Sequence, residues 1–150
     1  MTIDAISAAR YLCEKSGWKL TNLQLQKMLY MADMNYVGKL GERLLDEDFE
    51  AWDYGPVLPS LYHHCKAFGS KNLPDIFWNA EDIEGTSESE ILDAAWKNLK
   101  KQPPFKLVSI THSSSGAWVQ KYVPGAKQIN ISTQDMIDEY QRRRAKRTAA

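Results

Sequence analysis

"LTNLQLQKMLYMADMNYVGKLG", residues 20–41, carries the clearest helix start in the chain. Thr21 is an N-cap, and Gln24 three residues on completes a capping box, so two backbone N–H groups that a helix start leaves open are satisfied. Leu20 before the cap and Leu25 at the fourth helical position form a hydrophobic staple. From there Leu25, Met28, Leu29, Ala32 and Tyr36 fall on one stripe, with Gly38 and Gly41 marking the exit. A helix-turn-helix reading, with Gly17 in the turn, competes for this segment. Lys27 is the sole basic residue between Thr21 and Val37, which is too little charge to hold phosphates.

Upstream, Ile3 to Ser16 places Ile6, Ala9, Leu12 and Cys13 near helical spacing and ends at Gly17. Downstream, Phe49, Ala51 and Trp52 form a short extended segment, and Tyr54-Gly55-Pro56 is expected to stop it as a rigid turn. Pro59 fits a helix only in its first turn, so a helix starts near Leu58 and carries Leu61, Tyr62, Cys65 and Phe68 on one face. Ser70 to Thr86 is irregular, with a second extended piece expected over residues 73–78. Ser87 and Glu90 read as a second capping box opening a helix with Ile91, Leu92, Ala95, Trp96 and Leu99 inward. Pro103-Pro104 breaks it. A short helix over "PFKLVSITH" follows, then a serine turn and a short helix from Ala117 that ends near Pro124-Gly125. Ser132 and Asp135 make a third box, and Met136, Ile137 and Tyr140 face the body from the last helix. The expected fold is mainly α, α+β at most: a compact helical bundle with a small β element near residues 48–54.

At 150 residues the chain is long enough for one domain, residues 1–150, ending in a basic tail over 141–150. Acids and bases balance at 19 each, which argues against a general nucleic-acid binder. The charges are uneven. Asp46-Glu47-Asp48-Phe49-Glu50 and the stretch from Asp75 to Asp93 are acidic, while Arg142 to Arg147 holds five cations. That tail reads either as a solvated helix end, where cations suit the helix dipole, or as a nucleic-acid contact. No run approaches the roughly 18–20 apolar residues of a membrane span, and the start lacks the basic and apolar regions of a signal peptide. A cytoplasmic chain with reduced, buried Cys13 and Cys65 is expected.

Chemistry is sparse. His63 and His64 are adjacent on a helix, so their side chains diverge by about 100°, whereas helical zinc pairs stand four residues apart. With Cys65 on the apolar face and His112 far along the chain, no metal and no cofactor is expected. Cys13 lies among apolar neighbours that make a thiol inert. His112 beside Ser114 and Ser115 lacks the elbow or phosphate loop that would mark catalysis. No catalytic residue is assigned, and the chain reads as a binding protein and not an enzyme.

The order "LQLQKMLYMAD", "EAWDYGPVLPSLY", "LVSITHSSSGAW" and "INISTQDMIDEYQ" resembles the Panacea domain, the antitoxin domain also called SocA-like or GepA-like. The resemblance runs over about Leu20 to Tyr140. Its motif residues here are Tyr54, Gly55, Pro56, Val57, Thr111, His112 and Trp118, which residue chemistry alone reads as turn and core. Ala117 stands where the family usually has proline, and Ser113-Ser114-Ser115 where an acid is usual. The resemblance implies a bacterial or prophage antitoxin that neutralises a cognate growth-arresting toxin, encoded nearby, by direct binding. Delivery of the toxin to the ClpXP protease as an adaptor is the alternative within the family; regulation through nucleic acid is the alternative outside it. Asp46, Glu47, Asp48 and Glu50, with Trp52, Asp53 and Tyr54 at their end, are the expected toxin-binding face, since an aromatic beside carboxylates suits a basic toxin surface.

Overall fold

Thr21 begins the longest helix as the sequence requires. Its hydroxyl accepts from the Gln24 N–H at 3.2 Å, and Gln24 Oε1 accepts from the Thr21 N–H at 3.0 Å. The computed structural model describes residues 2–126 and 128–149, with no account of the side chains at 148 and 149. Met1 and Ala150, the ends of the expected domain and tail, lie outside the described residues. Helix α1 spans Ala5–Lys15 and α2 spans Asn22–Leu40. Strands β1 (Phe49–Trp52) and β2 (Gly55–Val57) precede α3 (Pro59–Cys65), which tightens into a 3-10 turn at Lys66–Phe68. Helices α4 (Ser87–Leu99), α5 (Pro104–Thr111) and α6 (Ala117–Lys121), strand β3 (Asn130–Ile131) and helix α7 (Thr133–Ala149) complete the order. The architecture is mainly α with a small antiparallel sheet, as expected.

α2 is the axis. No side chain from position 21 to position 38 is exposed, because α1, α4, α5, α7 and β2 pack around it. The expected stripe is buried, and so are Gln26, Lys27, Tyr30, Asp33, Met34 and Val37. A helix enclosed this way must find partners for its polar groups inside the protein. Asp33 accepts from Arg43 Nε and from the Leu44 N–H, both at 2.7 Å. Gln26 brackets Leu58, accepting from its N–H at 2.8 Å and donating to its carbonyl at 3.3 Å. Tyr30 donates to buried Glu139 of α7 at 2.6 Å, and Glu139 also accepts from Arg143 and from the Ala117 N–H.

Several boundaries depart from the sequence reading. Gly55-Pro56-Val57 is not the stop of the extended segment but a strand: Glu50 pairs with Val57, Ala51 with Pro56 and Trp52 with Gly55, leaving Asp53-Tyr54 as the hairpin loop. Proline is admissible there because β2 is an edge in the order β2-β1-β3. β3, only two residues long, was not anticipated; it pairs Phe49 with Ile131. Residues 73–78 form no strand; a single bridge joins Thr21 to Asn72, while Leu73 and Phe77 enter the core. The cap of α4 is Thr86, not Ser87, with its hydroxyl on the Ser89 N–H. α6 ends at Lys121, before Pro124.

Gly41 closes α2 in the left-handed region at φ 80°, as expected, but Gly38 lies within the helix. There the Tyr140 ring rests on bare backbone, and an added Cβ would stand 2.0 Å from Tyr140 Cγ. Gly38 sets how closely α7 approaches α2. Gly38→Ala is expected to lower the unfolding free energy by about 3 kcal/mol despite alanine's better helix propensity. Urea denaturation measures this, and a variant as stable as the parent would refute the packing assigned to Gly38.

Candidate functional site

The first three segments of the resemblance meet in space at Lys27. β2 crosses its side chain, and Lys27 Nζ donates to the Pro56 carbonyl at 3.0 Å. Gly55, at φ 112°, needs glycine twice over: the conformation is one that L residues avoid, and a Cβ would lie 2.9 Å from Lys27 Nζ and 3.1 Å from Thr111 Oγ1. Thr111 turns its hydroxyl back onto the Leu107 and Val108 carbonyls of α5. His112 caps that helix, and its ring stacks on Trp118 with centroids 3.6 Å apart and planes 6° apart. Trp118 Nε1 donates to the Trp52 carbonyl at 2.6 Å, tying α6 to the hairpin. Tyr122 also stacks on Trp118 and donates to Asp53 at 2.7 Å, while the Gly125 N–H donates to the same Asp53 oxygen at 3.2 Å. Ala117, lacking the proline usual in the family, keeps an N–H, and Glu139 accepts it at 2.8 Å.

A cleft of about 440 Å³ opens between α2, the hairpin and α3. Trp52, Tyr54, Val57 and Tyr62 line it together with Lys27 and Asp53. Trp52 and Tyr62 meet edge to face at 4.9 Å, and Tyr54 stands 72% exposed at the hairpin tip. The wall is mostly apolar and aromatic.

Electrostatically Lys27 is unusual. It has no exposed surface and no ion pair among the described residues, and burial lowers its pKa to about 7. His112 is also lowered, first by burial and then by the Lys27 charge, with a hydrogen bond to the Tyr54 backbone opposing. Burial pushes both thiols up to about 12. Neither Cys13 nor Cys65 is placed as a nucleophile at neutral pH.

The expected toxin-binding residues separate into two groups. Trp52, Asp53 and Tyr54 line the cleft, and Glu50 stands next to it, accepting from Trp52 Nε1 at 2.8 Å and from the Gln128 N–H at 3.0 Å. Asp46, Glu47 and Asp48 instead brace neighbouring segments. Asp46 accepts from the Ala5 N–H at 3.3 Å, Glu47 from the Ser60 hydroxyl, and Asp48 from Arg43 at 3.2 Å. Asp4, Asp46 and Glu47 bring ligand oxygens within 4.8 Å of one another, a closeness these structural bonds account for. His63 and His64 are exposed and Cys65 is buried, so the three do not converge. In the tail, Arg142 donates to the Ser115 carbonyl at 3.0 Å and Arg143 to the Ile110 carbonyl at 2.7 Å. Those two cations fasten α7 to the turn after α5. The residue missed from sequence is Lys27, although a signal was present: it falls on a second stripe with Leu23, Tyr30, Met34 and Val37.

A family model described as antitoxin SocA-like, Panacea domain, matches residues 25–119, a span that holds Lys27, the hairpin, Thr111, His112 and Trp118. Antitoxin SocA of Caulobacter vibrioides (strain NA1000 / CB15N) is 28% identical over 130 residues, covering 78% of this chain and 69% of that protein. No solved structure matches. Among the described residues no helix is long and apolar enough to cross a membrane.

The buried amine has a thermodynamic consequence. The folded chain releases the Lys27 proton near pH 7, whereas an unfolded lysine holds it to roughly pH 10. In that window the unfolded state binds more protons, so stability rises with pH, by up to about 1.4 kcal/mol per pH unit. Lys27→Met is expected to exceed the parent in stability at pH 6 and to lack this rise. Urea midpoints from pH 6 to 10 decide it; parallel curves for the two proteins would contradict the assignment.

Proposed function

The chain belongs to the SocA-like Panacea domain family, and we propose on that premise that it is an antitoxin that neutralises a growth-arresting toxin by binding it directly. The observation that carries this reading is the aromatic cleft at the meeting point of the family's segments, with Tyr54 held in water at its rim. Exposing a tyrosine above Trp52 and Tyr62 contributes nothing to the core. A desolvated partner is where such residues contribute most.

Trp52, Asp53 and Tyr54 form the centre of the proposed contact and Glu50 its acidic edge. Asp46 and Asp48, both exposed, add negative charge farther out, where it steers a basic toxin and sets association rate more than affinity. Direct sequestration needs no chemistry from the chain. Arg142 and Arg143 are engaged by the serine turn and α5, which leaves Arg144, Lys146 and Arg147 as the exposed cations of α7, and the balanced net charge favours a protein partner over a nucleic-acid one.

Co-expression with the toxin encoded beside it tests this reading. Tyr54→Ala is expected to weaken toxin binding by about 2 kcal/mol, roughly 30-fold, and to abolish growth rescue without altering the melting temperature. Rescue should persist in cells lacking ClpXP, with the toxin level unchanged. Intact rescue by the variant would remove the cleft from the contact, and rescue lost with ClpXP would establish delivery to the protease in place of sequestration.

A further inference from the structure

A primary amine with no exposed surface is costly to keep in a fold. Lys27 offers three N–H donors, and among the described residues the acceptor it meets is the Pro56 carbonyl at 3.0 Å. A methionine of similar length would fill the space without the desolvation penalty. The acids of the surrounding elements are engaged elsewhere. Glu139 of α7 accepts from Tyr30, Ala117 and Arg143; Asp53 of the hairpin accepts from Tyr122 and Gly125; Glu50 accepts from Trp52 and Gln128. From α5 the facing titratable group is His112, and from α3 it is Tyr62 across the cleft. The free fold therefore keeps beside an apolar cleft an amine whose positive form has no ion-pair partner among the described residues, and Gly55 brings bare backbone to it, since a Cβ there would stand 2.9 Å from Nζ.

We propose that this cleft receives a toxin segment bearing an acidic side chain, whose carboxylate pairs with Lys27 while its apolar neighbours lie against Trp52, Val57 and Tyr62. The assignment rests on the antitoxin reading and adds to it the chemistry of the partner. The aromatic wall supplies burial, and the amine supplies direction, since a carboxylate is the group that turns its desolvation from a cost into a gain. The amine is covered in the free chain, so pairing requires the Asp53-Tyr54 loop to shift. That loop is held through Asp53 and carries the exposed Tyr54.

The chemistry is tested apart from the toxin. The full chain with isotope-labelled lysine is titrated from pH 5 to 10 with 3-phenylpropionate and separately with its neutral amide, following the Lys27 ε-methylene signal. The carboxylate is expected to raise the Lys27 midpoint from about 7 by at least about one pH unit, and the amide to leave it in place. In a second arm, Lys27→Met should bind the neighbouring toxin roughly 30-fold more weakly than the parent while folding normally. An unmoved midpoint with the carboxylate, or equal toxin affinity for parent and variant, overturns the proposal and leaves the antitoxin reading standing. A shifted midpoint with no complex between parent and toxin brings down the antitoxin reading, and the docking assignment with it.

Discussion

A helix with no exposed side chain must find partners for its polar groups inside the protein, and α2 has none from position 22 to position 38. That enclosure organises the rest of the molecule. Asp33 takes Arg43 and the start of the next segment; Gln26 takes both backbone groups of Leu58; Tyr30 takes Glu139 and, through it, α6 and α7. The Gln26 and Tyr30 bonds join α2 to segments distant in sequence and the Asp33 bonds tie it to the segment that follows, so buried polarity supplies register that apolar packing alone does not. Lys27 is the exception within this scheme, with one carbonyl for three donors.

Close backbone approach is the second device. Gly38 admits Tyr140 and fixes α7 against the axis, and Gly55 admits the hairpin over the Lys27 amine. Around that point His112, Trp118 and Tyr122 stack in series, and the Trp118 indole reaches the backbone of β1. Of the motif residues, Gly55, Thr111, His112 and Trp118 pack around the hairpin, while Tyr54 and Val57 line the cleft. Tyr54 and Asp53 occupy the hairpin tip, while Gly55, Thr111 and Trp118 hold it in place. Such a division lets one fold present varied surfaces to varied partners.

Much of the local chemistry was legible, although the cap of α4 falls at Thr86 and not Ser87. The Thr21 and Ser132 boxes, the proline starts of α3 and α5 and the inward faces of the helices follow from spacing and side-chain type. What depended on distant chain was not legible. β3 exists because Phe49 offers an edge, and Pro56 is tolerated in a strand because nothing pairs beyond it. Gly38 looked like a helix exit because the tyrosine that needs it lies over a hundred positions later. The acidic run 46–50 read as one surface, yet its members turn to α1, α3, Arg43 and Trp52 in succession. Lys27 was passed over because a lone lysine carries little weight in a charge census; its meaning came from the enclosure of its helix.

In the proposed antitoxin, binding energy resides in the exposed hairpin and cleft, and stability in the buried network beneath them. The most direct test is hydrogen exchange on the chain alone and in complex with the proposed toxin partner. The account predicts slowed exchange confined to the start of α2, the Trp52–Val57 hairpin and the segment around Gly125, with α4 and the outer end of α7 unchanged. Protection centred on the basic end of α7 or on residues 46–48, with the hairpin exchanging as before, would contradict it.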